Sequence, residues 1–235
     1  MDDIALRLEQ LEERIEAACR RCGRKRQDVK LMAVTKFHPV EAVEAAWNAG
    51  LRLFGESRVH EGVEKFIQYK VKYPASSPEI HLIGSLQRNK AKAAASFYDC
   101  IQSVDREALI DELGALTRSR ENPLMILLEY HTGEDTKAGF LSRDDLFRAA
   151  EKLMSYPGLN PSGLMTMAPF TGDTALIRSA FRELAVAACE LERRFPSGLT
   201  PRWSCLSMGM TGDFETAIEE GSTMIRVGTA IFGER

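Results

Sequence analysis

Eight short apolar stretches alternate with helical patterns along 235 residues, which predicts an α/β protein built as a single (β/α)8 TIM barrel over residues 1–235. Three observations carry this prediction. The alternation runs through the chain with no linker-like break, low-complexity tract or close repeat. No G-x-G-x-x-G turn follows the first strand, which counts against an open doubly wound sheet. An extra N-terminal helix precedes the first strand while no full helix follows the last, so that helix is placed to fill the vacant position in the outer ring.

The elements follow from local patterns. Ile4, Leu8, Leu11, Ile15, Cys19 and Cys22 recur at spacings of three and four and make one apolar helix face, stopped by Gly23. Lys30 to Thr35 reads as strand one. Its helix starts after Pro39 on Val40, Val43, Ala46 and Trp47 and ends at Gly50. Leu51 to Phe54 is the second strand, with Gly55-Glu56-Ser57 as a turn, and Val59, Val63, Phe66 and Ile67 mark the next helix. Ile80 to Ile83 is the third strand, followed by a basic, alanine-rich helix from about Asn89 to Phe97. Cys100 to Val104 is the fourth strand, and Leu109, Ile110, Leu113 and Leu116 mark its helix. Leu124 to Leu128 is the fifth, an unbroken apolar run suited to burial on both faces. A loop from His131 to Leu141 leads to a helix capped by Ser142, with Asp145 three residues on. Gly163 to Met167, Ser204 to Met208 and Thr223 to Val227 are the last three strands. A helix from about Thr174 to Arg194 and a short one from Asp213 to Glu220 lie between them.

Composition narrows the function. Apolar residues at 44% and charged residues at 28% are an ordinary globular balance, with enough core to need no staple. A net charge of −3 without a basic stripe gives no electrostatic case for nucleic acid. No apolar run approaches the ~20 residues of a membrane span. The acidic Met1-Asp2-Asp3 lacks a signal peptide's basic region, so the expected location is cytoplasmic. Five scattered cysteines argue for reduced thiols. Cys19 and Cys22 spell C-x-x-C at a helix end with no second pair, so no metal site is expected.

The chemistry centres on Lys36, where the apolar run Leu31 to Val34 ends and a proline-started helix follows. A strand there delivers an amine to the open end of the sheet, where it can condense with an aldehyde to a Schiff base. The plainer alternative is a lysine reaching into water. In such barrels the working face is the carboxyl ends of the strands, and phosphate often sits in the loops after strands seven and eight. Both loops are glycine-rich here: Ser207-Met208-Gly209-Met210 and Arg226-Val227-Gly228-Thr229. Glycines let backbone N–H groups approach an anion, and Ser207 and Thr229 add hydroxyl donors. An amine together with a phosphate cradle suits pyridoxal 5′-phosphate (PLP). Arg226 then has a role as partner of the pyridine nitrogen, which a guanidinium contacts without protonating it. The alternative for Arg226 is a rim ion pair with Glu219 or Glu220.

At these residues the chain resembles the YggS/PROSC family of PLP-binding proteins, also called PLP homeostasis proteins. The matching stretches are Ala33-Val34-Thr35-Lys36, Phe54-Gly55-Glu56-Ser57-Arg58, His81 to Lys90, Leu206 to Met210 and Glu220 to Gly233. The resemblance implies a barrel like the N-terminal domain of alanine racemase (a fold type III PLP barrel), with PLP held as a reversible Schiff base on Lys36. It implies that Ser207, Gly228 and Thr229 hold the phosphate and that Arg226 faces the ring nitrogen; Gly209, in the glycine-rich loop after strand seven, is a further candidate for the cofactor site. Ser57 stands where the family usually has an Asn near the cofactor, and Lys137-Ala138-Gly139 where it usually has Lys-Ser-Gly.

Holding PLP does not make an enzyme. Alanine racemase relatives take a second acid–base group, a Tyr, from a separate β domain that this sequence does not show, and its five tyrosines match no version of that motif. The expectation is a non-catalytic carrier that buffers PLP or passes it between PLP-producing enzymes and client PLP enzymes, as a monomer. The rival is a racemase-like PLP enzyme using Lys36 as acid and base. A Schiff-base aldolase on a sugar phosphate is a third reading, disfavoured by Arg226.

Overall fold

A computed structural model describes residues 2–133, 138–196 and 203–234. The strands are β1 (Lys30–Val34), β2 (Leu53–Glu56), β3 (Glu79–Leu82), β4 (Cys100–Val104), β5 (Leu124–Glu129), β6 (Leu159–Met165), β7 (Cys205–Ser207) and β8 (Met224–Val227). They pair in parallel in sequence order, and β1 closes on β8 to complete the barrel. The helices are α1 (Asp2–Arg21), α2 (Val40–Asn48), α3 (Val59–Lys72), α4 (Ala91–Phe97), α5 (Glu107–Leu116), α6 (Arg143–Met154), α7 (Thr174–Arg194), α8 (Phe214–Glu219) and α9 (Thr229–Phe232). This is the expected (β/α)8 architecture.

Two strands are displaced from their expected positions. β2 starts at Leu53 rather than Leu51 because α2 ends in a Schellman turn. Gly50 N–H donates to Trp47 O and Leu51 N–H to Ala46 O, with Gly50 at φ +95°, so Leu51 still closes the helix. Gly55 and Glu56 are strand rather than turn. β6 begins at Leu159, before the expected Gly163, with Pro161 and Gly163 inside it. Pro161 pairs with Ile126 where the β5–β6 register shifts, and Gly163 backs onto the Cys205 carbonyl with no room for a side chain. Both residues read as breaks in a sequence and here accommodate an irregular ladder.

Alternation along each strand divides the core. Leu31, Ala33, Ile101, Ile126, Leu128, Leu164, Ile225 and Val227 belong to the large cluster between barrel and helices. The residues between them face inward. Met32, Leu53 and Met224 form one small interior group, and Cys100, Leu127 and Met165 another. By the same alternation Gln102, Ser207 and Arg226 face the interior.

Helix α1 occupies the expected gap in the outer ring, packed on α8 and α9 through Leu11, Ile15, Ala18 and Cys19. Arg14 and Arg21 bind Glu215, Arg21 also binds Glu219, and Arg178 from α7 binds Glu219 and Glu220. Cys19 is thus a buried apolar filler of the helix face. Ser142 caps α6 as expected, its Oγ accepting from Asp145 N–H at 3.1 Å. The expected loop residue Lys137 lies outside the described residues.

Candidate functional site

Lys36 follows β1 by two residues, at the carboxyl end of the barrel, and is half-buried. Among the described residues its amine has no hydrogen-bond or ion-pair partner, although its chain neighbours are tightly held. Thr35 is fully buried, and its Oγ1 donates to Glu56 Oε1 at 2.6 Å. Lys65 Nζ donates to Thr35 O at 2.7 Å and Phe37 N–H to Glu61 Oε1 at 2.5 Å. His38 packs on Phe232 of α9, the rings tilted by 34° with centroids 4.8 Å apart.

The register between β1 and β8 sets Met32 beside Arg226 and Ala33 beside Val227. Lys36 and the Gly228–Thr229 turn therefore emerge side by side on one rim. Gly228 brings the two strand ends close: a Cβ on it would lie 3.2 Å from Val34 O, a tight contact. Gly228 O caps α9 by accepting from Ile231 and Phe232 N–H, both at 2.9 Å. The first N–H groups of a helix have no partner within it, which leaves those of Thr229 and Ala230 without an intrahelical acceptor. Gly209, at φ +95°, turns the chain after β7. A Cβ there would come within 2.6 Å of Ala217 Cβ, and its carbonyl accepts from Arg226 N–H at 2.9 Å.

Arg226 is only 4% exposed and lies at the end of a polar relay through the barrel interior. Its Nη1 donates to Ser207 O at 2.5 Å and to Ser207 Oγ at 2.9 Å, and its Nη2 to Thr166 O at 2.8 Å. Ser207 Oγ donates to Gln102 Oε1 at 2.6 Å, Gln102 Nε2 to His81 Nδ1 at 2.7 Å, and His81 Nε2 to Glu79 Oε1 at 2.8 Å. Every donor points the same way, from a buried cation towards a carboxylate at the opposite end, and the imidazole tautomer is assigned by that chain. The His81 hydrogen bond holds the Glu79 carboxyl below its ordinary range against the opposing effect of burial. Glu219 and Glu220, the alternative partners for Arg226, are engaged by Arg21, Arg178 and Arg182.

Ser207 Oγ is fully buried, donating to Gln102 and accepting from Arg226. Ser57 follows β2, the neighbour of β1 on the side away from β8, and lines a cleft of ≈ 670 Å³ with His60, Glu61, Ser85, Gln87 and Lys90. The strands thus bring Lys36, Arg226, Gly228, Thr229 and Gly209 to one part of the rim and leave Ser57 beside them. Sequence reasoning missed Gln102, Thr166, Glu61 and Lys65. Gln102 did carry a signal, as a lone amide in the apolar run Cys100 to Val104, because a buried amide must find partners.

These residues suit PLP. A partnerless amine suits an aldehyde, the Gly228 cradle leaves room for an anion against backbone N–H groups, and a buried guanidinium suits a ring nitrogen acceptor. Fold and site together define a ligand-binding parallel barrel with an amine and an anion cradle on adjacent strands. Residues 6–235 match the family model of the alanine racemase N-terminal domain. The pyridoxal phosphate homeostasis protein of Vibrio cholerae is 39% identical over 236 residues, covering 100% of this chain and 98% of that one. PipY of Synechococcus elongatus, solved with PLP bound, superposes with a TM-score of 0.84 at 34% identity, covering 98% of this chain and 100% of that one. An alanine racemase of Clostridium difficile shares the fold alone, with a TM-score of 0.76 at 13% identity over 100% of this chain and 60% of that one. The chain belongs to the family of pyridoxal phosphate homeostasis proteins.

Proposed function

We propose that this protein binds pyridoxal 5′-phosphate reversibly on Lys36 and serves intracellular PLP homeostasis as a carrier, with residues 1–235 acting as one PLP-binding barrel domain. The observation that carries the reading is the β1–β8 register, which puts the free Lys36 amine beside the Gly228–Thr229 turn and above the interior-facing Arg226. When bound, PLP supplies an aldehyde that condenses with an amine, releasing water, and a phosphate that anchors it. Lys36 presents the amine. Gly228, Thr229 and the Gly209 turn hold the phosphate through backbone N–H groups and the Thr229 hydroxyl. Arg226 donates to the ring nitrogen and keeps its own proton, since a guanidinium stays charged at any working pH. Ser207 would act through Arg226, and Ser57, on the strand next to that of Lys36, would border the cofactor from the β2 side.

The tyrosines support a carrier rather than a racemase. Tyr98 OH donates to the carbonyls of Arg58 and Val59, Tyr130 OH to Glu183, and Tyr156 OH to Asp111. Tyr69 and Tyr73 pack with Trp47 between α2 and α3. Burial, with Glu183 beside it, pushes the Tyr130 hydroxyl up to about 12, far from the range of a working acid–base group. Five free cysteines suit a reducing cytoplasm. In this reading a monomer exchanges cofactor with PLP-producing enzymes and client PLP enzymes.

Purified protein mixed with PLP is expected to develop a visible absorbance band that Lys36→Ala abolishes. An unchanged band in the variant would refute the assignment. Alanine incubated with the loaded protein in deuterated water is expected to show no appreciable Cα exchange; robust exchange lost with Lys36→Ala would establish the racemase alternative.

A further inference from the structure

We propose that Glu61 and Lys65 of α3 are positioning residues for Lys36, fixing the backbone on both sides of it. Phe37 has φ 64°, the one positive value at a non-glycine among the described residues. Residues with side chains persist in that conformation only where surrounding contacts hold it. Here the Phe37 N–H donates to Glu61 Oε1 at 2.5 Å, and the Arg58 guanidinium lies over the ring, 4.7 Å from its centroid. The same Glu61 oxygen accepts from Lys65 Nζ at 2.6 Å. Lys65 Nζ reaches on to Thr35 O at 2.7 Å and to Glu56 Oε1 at 3.0 Å, and Thr35 Oγ1 closes the circuit on Glu56.

One ammonium therefore ties the residue before Lys36 and, through Glu61, the residue after it. Lys36 is the only member of this tripeptide whose side chain is left unengaged. The Lys65 side chain is 8% exposed and that of Glu56 0%, so the Lys65–Glu56–Thr35 half of the clasp is held in low dielectric, where such contacts are strong, while the Glu61–Phe37 arm is at the surface. Burial works against the Glu61 carboxylate, but the bonds from Lys65 and Phe37 outweigh it and hold its pKa below the ordinary value, so the carboxylate is present at neutral pH. A clasp of this kind removes turn conformations that aim the amine away from the cradle, and preorganisation lowers the entropy lost on attachment. A plain structural ion pair would stabilise α3 without affecting what happens at Lys36.

The inference rests on the reading of Lys36 as the attachment point, and the first measurement tests that separately. Borohydride reduction of PLP-loaded wild-type protein, followed by peptide mapping, is expected to label Lys36; a label elsewhere refutes the attachment and this inference with it. With Lys36 labelled, cofactor release into excess apo-acceptor is followed by loss of the visible band. Glu61→Ala is expected to release cofactor about tenfold faster, the scale of an unsupported left-handed residue. Glu61→Gln, which keeps an acceptor oxygen for Phe37 N–H, is expected to stay near the wild-type rate. Phe37→Gly in the Glu61→Ala background is expected to recover much of the loss, because glycine adopts the turn unaided. Wild-type release from Glu61→Ala overturns the proposal, as does a loss that neither Gln nor glycine recovers. Should Glu61→Ala fail to fold, Thr35→Val removes only the hydroxyl arm of the clasp. Its release is expected to be several-fold faster, and a wild-type rate there overturns the proposal.

Discussion

At the scale of single residues, the site depends on how a buried cation is supported. Arg226 is inside a barrel whose neighbouring layers are Met32, Met224, Leu127 and Met165, and a guanidinium there must be hydrogen-bonded or it destabilises the fold. Its planar fork suits two carbonyls and a hydroxyl held at fixed angles, which a lysine would not match. Gln102 is the pivot of this support, since it accepts from Ser207 and donates to His81 in one plane. Replacing Gln102 with Leu strands the Ser207 hydroxyl and His81 Nδ1 together. Each unsatisfied buried group costs roughly 1–3 kcal/mol, so urea unfolding of Gln102→Leu is expected to show a loss on the order of 2–4 kcal/mol. A loss within experimental error would mean that the relay has no energetic weight.

At the scale of elements, the geometry of the β7–α8 connection sets the cradle. Gly209 adopts φ +95° with the chain of α8 directly behind it, Phe214 Cα lying 2.9 Å from where a Cβ would stand. In Gly209→Ala the left-handed strain and the overlap act together, and a loss on the order of 3 kcal/mol is expected. The same change moves the Met210 turn, so PLP titration of the folded fraction is expected to give a weaker dissociation constant than wild type. An unshifted melting temperature would show that the turn relaxes freely. The helix α8 cannot easily yield, because Arg14 and Arg21 from α1 and Arg178 and Arg182 from α7 clamp its acidic end.

At the scale of the whole molecule, that clamp is one of several pairings that link stability to pH. Hydrogen bonds from Arg178 and Arg21 hold Glu219 below its ordinary 4.5, and Arg143 does the same for Glu183. His81 lowers Glu79, and Lys152 with Tyr156 lowers Asp111 below 3.8. A carboxyl depressed in the folded state contributes stability that is complete above its unfolded pKa and is lost as pH falls through its folded value. Glu56 and Asp213 run the other way: burial raises both, against hydrogen bonds from Thr35 and Lys65 for Glu56 and from the Met210 N–H for Asp213, so ionising them costs stability as pH rises past their ordinary values. The depressed groups outnumber them. The melting temperature is therefore expected to fall as pH is lowered from about 5 to about 3, more gently in high salt because the surface pairs are screened. A melting temperature that rises across that interval would reverse the assignment.

The barrel was legible in the chain because apolar runs, helix periods and stop signals are local, and eight of them in alternation admit few arrangements. Lys36 and the glycines of the last two loops were legible because a lysine ending an apolar strand and a Gly-rich turn carry chemistry in their residue types. Where strands begin was less legible at β2 and β6: the Schellman closure at Leu51 and the ladder irregularity around Pro161 depend on what packs next to them. The partners of a buried polar group were not legible at all. Ser207 reads as a phosphate ligand, yet its hydroxyl turns inward to Gln102, 105 positions away in sequence. Lys65 carries no signal in the chain, yet it clasps Thr35 across 30 positions. Inward or outward orientation follows from strand register, and register is a property of the closed barrel, in which β8 pairs with β1 from the other end of the chain.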